Sequence, residues 1–175
     1  CFDAIIGAGG KAKHHPAVLA VVRGQVRELD ALLSDDSSLL HRHFPSLDFG
    51  TTAARNLTLQ GGTLLHAAAE FQQTDVCELL LARGADVNAR AMTNENGLGG
   101  QTPIFHAATQ NDGAGLPIVK LLVQHGADLA VRAKLPGYYE SPGEILDCTP
   151  LEYARLFPGG GSAESEYLAK CEGRE

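Results

Sequence analysis

The sequence predicts an all-α solenoid of about four stacked helix-turn-helix units, with degenerate terminal units and lengthened loops between them. Two recurring phrases carry the prediction. One returns three times in altered form, as Thr63-Leu-Leu-His66-Ala-Ala68, Thr102-Pro-Ile-Phe105-His-Ala107 and Thr149-Pro-Leu-Glu152-Tyr-Ala154. The other follows two of those copies, as Leu79-Leu-Leu-Ala-Arg-Gly84-Ala-Asp86-Val and Leu121-Leu-Val-Gln-His-Gly126-Ala-Asp128-Leu. Such self-similarity marks units that bury their apolar sides only against neighbours, so the period sets the fold and function belongs to the exposed surface. The 175 residues, 44% of them apolar, suffice for one domain with a sizeable shared core.

Taken in order, residues 1–16 read as an N-terminal arm and 17–62 as a degenerate first repeat with an irregular connection. The first repeat shows in His15-Pro16-Ala17-Val18-Leu19-Ala20, in Gly24 and in the apolar positions from Leu29 to Leu33. A terminal unit is expected to be atypical, because one of its faces meets water. Ser37 to His43 reads as a short capped helix that Pro45 ends.

Residues 63–101 form the second unit with its finger loop. Thr63 sits at an N-cap, offering its hydroxyl to backbone N–H groups that the first turn leaves unpaired. Leu64, Leu65 and three alanines follow, and the small residues let neighbouring helices approach closely. Thr74 or Asp75 is expected to cap a second helix, whose Val76, Cys77, Leu79, Leu80 and Leu81 share a buried side. Gly84 ends it in a positive-φ conformation, and Asp86 and Asn88 suit the turn beyond. The third unit, 102–148, repeats the plan: Thr102 as cap, Pro103 at the first helical position, an apolar stripe from Ile118 to Val123, then Gly126. The C-terminal capping repeat, 149–175, opens with Thr149-Pro150-Leu-Glu152 as a capping box, and its second helix is expected over 163–171 with Ser162 as cap.

These residues closely resemble the ankyrin repeat family, whose motif runs Gly-x-Thr-Pro-Leu-His-x-Ala-Ala, an apolar helix, then Gly-Ala-Asp-Val-Asn-Ala. Gly84-Ala-Asp-Val-Asn-Ala89 matches letter for letter, and the resemblance covers residues 61–157. It implies a protein-binding module that has no catalytic residues and needs no cofactor, with a partner held on the concave surface made by the fingers and the exposed side of each first helix. Carried across by position, those first-helix sites are Arg23, Glu70, Phe71, His106, Gln110 and Tyr153. The resemblance also gives His66 the part of bracing the cap threonine, and Asn88 the position that asparaginyl hydroxylases modify in animal members.

Departures from the motif locate the chain's own features. The motif threonines lie 39 and 47 residues apart (63 to 102, 102 to 149), beyond the family period of about 33, so residues must be looped out. The turn 112–115 and the fingers 89–101 and 130–148 are where they fall. The longer finger carries adjacent Tyr138 and Tyr139, large contact area at low ordering cost, and the shorter carries Met92 and Leu98 as apolar handles. Phe105 and Glu152 replace the motif histidine, so hydrogen bonding between neighbouring caps is expected to be incomplete there.

Composition excludes several functions. A net charge of -7, from 14 Lys and Arg against 21 Asp and Glu, argues against a nucleic-acid partner, which needs clustered cations. Cys1, Cys77, Cys148 and Cys171 form no Cys-x-x-Cys pair, which fits neither a zinc knuckle nor a disulfide framework and points to a reducing cytoplasm. No apolar run nears the roughly 20 residues of a membrane span, and no signal peptide is visible. Met92 is the only methionine, so Cys1 is not an initiating residue; a lipoprotein matured at Cys1 is the alternative compartment reading. The glycines between Gly7 and Gly10 imitate a dinucleotide loop, but His14-His15-Pro16 and an amphipathic helix follow where a phosphate-binding helix and second strand belong. The pairs His14-His15 and His41-x-His43 lack metal-ligand helical spacing, no metal site is expected, and the sequon Asn56-Leu-Thr58 is read as chance. The expected function is therefore a monomeric protein-binding module; an enzyme built on the repeat surface and a structural or self-associating unit are the alternatives.

Overall fold

The computed structural model describes residues 14–45, 47, 57–137, 143–156 and 162–173. Eight α-helices lie among these: α1 Pro16–Val22, α2 Val26–Asp35, α3 Leu64–Glu70, α4 Thr74–Ala82, α5 Pro103–Ala108, α6 Leu116–Gln124, α7 Pro150–Ala154 and α8 Ser162–Cys171. They pack as four antecedent-successor pairs, α1 with α2 through α7 with α8. Between pairs the first helices stack in the order α1, α3, α5, α7, and the second helices in the order α2, α4, α6, α8. The core is thus a column closed only by neighbours. Leu29, Leu65, Ala67, Ala68, Leu80, Ile104, Ala107, Ile118, Leu122 and Leu168 are all essentially inaccessible within it.

The local signals that build this column mostly act as read. His15 begins α1 by accepting from Ala17 N, and Pro16 follows at N1. Ser37–Leu40 is a single 3₁₀ turn rather than an α-helix, opened by Asp36, whose Oδ1 accepts from Ser38 N and Ser38 Oγ. Gly84 and Gly126 close α4 and α6 at φ +91° and +84°, and a Cβ at either would touch nothing. Their requirement is therefore purely conformational. Gly115 differs: an added Cβ would overlap the Ala107 carbonyl, so the close seating of α6 on α5 needs hydrogen there.

Three expectations change. Gln73, not Thr74 or Asp75, is the N-cap of α4, and it makes no side-chain cap bond. Its Nε2 instead donates to Val22 O of the preceding unit at 3.2 Å, which leaves Thr74 as the first helical residue. Ser162 lies inside α8 rather than before it. The chain is also not all-α. The longer finger forms β1 (Ala133–Pro136) and β2 (Ile145–Cys148), an antiparallel pair in which Lys134 faces Asp147 and Leu135 faces Leu146. An opposite-charge pair and an apolar pair across the strands favour that register.

The hairpin belongs to a ribbon that joins all the loops on one side of the column. Phe44 N donates to Gly62 O (2.9 Å), Met92 N to Gly61 O (3.0 Å) and Ala91 N to Gln101 O (2.8 Å). Gly99 and Lys134 then exchange both backbone bonds, at 2.7 and 3.2 Å, before the ladder passes to β2. These bonds satisfy backbone groups that long loops would otherwise leave to water.

Candidate functional site

The ribbon encloses one notable cleft of about 190 Å³. Pro45, Thr58, Gln60 and Gly61 form one wall, Met92, Thr93, Asn94, Leu98, Gly99 and Gln101 of the shorter finger a second, and Leu135 and Pro136 of β1 the third. Among the described residues that line it, none carries a charge. Met92 is 53% exposed at its mouth, Leu98 is half-buried, and Leu135 is buried. The two apolar handles read from the shorter finger thus meet in one place.

Arg132 secures the third wall. Its Nε lies 3.0 Å from Asp147 Oδ1, its Nη1 lies 3.1 Å from Glu152 Oε2, and Nη2 also donates to the Asp147 carbonyl. Those partners hold its pKa above the usual guanidinium value, the Asp147 hydrogen bond first among them. Arg90 Nη2 donates to Arg132 O at 2.6 Å, so the shorter finger is fastened to the same point.

The first-helix positions divide. Arg23 is exposed; Glu70 and Phe71 are half-buried, with Phe71 packed against the core. His106, Gln110 and Tyr153 are not exposed, contrary to expectation: they are 0%, 5% and 1% accessible. The reason is that α5 and α7 sit flush against their neighbours. His106 Nδ1 donates to Glu70 Oε2 at 2.8 Å, and Gln110 Nε2 donates to Glu70 O (3.1 Å) and His106 O (2.8 Å). Gln72 Nε2 donates to Gln110 Oε1 at 2.8 Å, which completes a polar seam between the second and third units. Tyr153 packs on Phe105, ring centroids 6.2 Å apart. Tyr138 and Tyr139 lie outside the described residues.

The structural motif residues fill their places. Thr63 and His66 form a capping box with histidine in the position that glutamate usually takes. His66 Nδ1 accepts from Thr63 N (3.1 Å) and faces Thr63 Oγ1 (3.0 Å), so its proton sits on Nε2, which donates to Gln101 O at 3.0 Å. Burial, reinforced by neighbouring His106, lowers the His66 pKa to about 3 and keeps the ring neutral. In the third unit Phe105 offers no such nitrogen, and Thr102 Oγ1 is buried without a partner, as the motif departure predicted. In the fourth, Glu152 Oε2 accepts from Thr149 N at 2.9 Å while Thr149 Oγ1 accepts from Glu152 N at 3.3 Å. Pro103 and Pro150 each stand at the helix start.

Sequence reasoning missed Gln101, Leu135 and Pro136 as cleft residues. The alternation of apolar and charged residues in Ala133-Lys134-Leu135 and Leu146-Asp147-Cys148 was the available sign of the hairpin, but its docking onto Gly99 leaves no mark in the sequence. Among the described residues no three His, Cys, Asp or Glu side chains are grouped to hold a metal ion. No helix among them is long and apolar enough to cross a membrane.

Paired helices stacked in register, successive pairs joined by loops that bond to one another, define the class: an α-helical repeat protein whose loops form a ribbon. The family model for ankyrin repeats, written as three copies, matches residues 39–133, and the chain belongs to the ankyrin repeat family. An ankyrin repeat protein of Acanthamoeba polyphaga mimivirus is 42% identical over 71 residues, which are 41% of this chain and 8% of that protein. The chain spans less than a tenth of that relative's length. Ankyrin repeats are in general protein-interaction modules.

Proposed function

We propose that the chain is a non-enzymatic protein-binding module whose partner docks on the finger ribbon, with Met92 and Leu98 as apolar anchors and Arg23, Glu70 and Phe71 included on the first-helix side. One observation carries this reading: exposed Met92 stands over an uncharged cleft built from three successive loops. An apolar anchor in a preformed cleft, ringed by polar loop groups, is the arrangement that concentrates binding energy at protein interfaces. Tyr138 and Tyr139 of the longer finger, outside the described residues, are proposed to belong to the same surface. The units 17–62, 63–101, 102–148 and 149–175, following an arm over 1–16, are the proposed division of the chain, and a single copy is proposed to act alone. A net charge of -7 favours a partner of basic character rather than a nucleic acid.

A reducing cytoplasm is the proposed compartment. Burial pushes the Cys77 thiol up to about 12 and the Cys148 thiol up to about 11, so both stay protonated and inert there. The test is affinity capture from the native source with wild type, Met92→Glu plus Leu98→Glu, and Tyr138→Ser plus Tyr139→Ser. Loss of the same partner from the first variant at unchanged thermal stability is expected. Equal recovery by all three would remove the fingers from the site.

A further inference from the structure

Gln101 lines the cleft and is itself only 1% exposed. Its Nε2 donates to Thr58 O at 2.8 Å, which fixes the amide orientation, because the flipped form would set two carbonyl oxygens against each other. The Oε1 so oriented is buried and has no hydrogen-bond partner among the described residues. An empty buried acceptor is uncommon in a folded chain and asks for a donor. In the same cleft, Pro45, Met92, Leu98, Leu135 and Pro136 supply apolar wall, and none of the described residues lining it carries a charge.

Resting on the reading of the fingers as the binding face, we propose that the cleft takes one uncharged aliphatic side chain, of leucine or methionine size, from a protein partner, and that Gln101 Oε1 accepts the backbone N–H beside it. The volume of about 190 Å³ suits a single such group. A lysine or glutamate side chain would shed its hydration against neutral walls with no counter-ion to replace it. Because Oε1 has no accessible surface in the free chain, a lining group must move as the ligand enters. Met92, unbranched and 53% exposed at the cleft mouth, is the group proposed to move. The site therefore selects by two independent features: absence of charge, and presence of a donor next to the apolar group.

Three small probes separate those features: N-methyl isocaproamide, its ester analogue methyl isocaproate, and the ammonium-bearing N-methyl aminocaproamide. Each is titrated into the full chain and followed by NMR at the Met92 and Leu98 methyls and the Gln101 side-chain amide. The neutral amide is expected to shift all three groups with a dissociation constant on the order of millimolar. The ester, lacking the N–H, is expected to bind about fivefold more weakly. The ammonium probe is expected to leave the signals unmoved, and Met92→Glu and Leu98→Glu, separately checked for fold by circular dichroism, are each expected to abolish the neutral amide's effect. Equal binding of amide and ester, or preference for the ammonium probe, overturns the assigned chemistry while the fingers remain the binding face. No shift with any probe overturns the cleft assignment, and the broader reading falls with it only if partner capture is also indifferent to both substitutions.

Discussion

The second and third units carry the same helical plan but finish their caps in opposite ways. In the second, His66 ties Thr63 to the next unit through Gln101 O, so the cap threonine's N–H and hydroxyl both have a partner. In the third, Phe105 fills that volume with carbon, packs on Tyr153 and leaves the Thr102 hydroxyl buried and unpaired. A stacked joint can thus be closed by a polar relay or by aromatic packing. The two differ in what perturbs them: the relay fails when one member is removed or protonated, whereas the aromatic joint rests on carbon packing.

The sharpest break of that comparison is His66→Leu. It strands Gln101 O and the Thr63 cap in a dry interior, and a loss of about 3 kcal/mol is expected by chemical denaturation, several times the effect of an exposed substitution. Acid should reach the same joint. His66 has a folded pKa of about 3 against 6.5 unfolded, so its contribution to stability is complete above pH 6.5 and declines as pH falls toward 3, because only the unfolded chain takes up the proton. Unfolding free energies from denaturant titrations between pH 6.5 and 4.5 should fall by up to about 1.4 kcal/mol per pH unit from this group, and the slope should flatten in His66→Leu.

A smaller contrast separates the two threonines. Thr63→Val removes a bonded hydroxyl and is expected to cost about 1 kcal/mol, while Thr102→Val removes an orphan and is expected to be neutral or slightly stabilising. Paired thermal melts of the two variants decide it; equal losses would mean that Thr102 Oγ1 finds a partner in solution. The smallest expected effect on global stability belongs to Arg132→Gln. Its ion pairs are half exposed, so the melting temperature should hardly move. Amide exchange of residues 133–135 and 145–148 should nevertheless quicken, because the guanidinium ties the start of β1 to Asp147 of β2 and to Glu152.

Reading the sequence located what is local. Gly84, Gly126, the Thr149–Glu152 box and Pro103 each act within one turn of chain, so their residue types suffice. The consequence of Phe105 was legible for the same reason: a carbon ring cannot accept a hydrogen bond wherever it lies. His106, Gln110 and Tyr153 were misjudged because helical position tells which way a side chain points but not how closely the next unit will press. The cleft residues escaped because Gln101, Leu135 and Pro45 are far apart in the chain and are brought together by backbone bonds that carry no side-chain signature.

The sequence alone determined that this protein is a stack of helix pairs, since apolar periodicity, caps and turn glycines express short-range sterics and hydrogen bonding that any context preserves. Only the tertiary structure decided which faces remain open, that the long finger becomes a hairpin, and that three loops share one uncharged hollow. Those outcomes depend on contacts between distant segments, whose energies exist only once the column has formed.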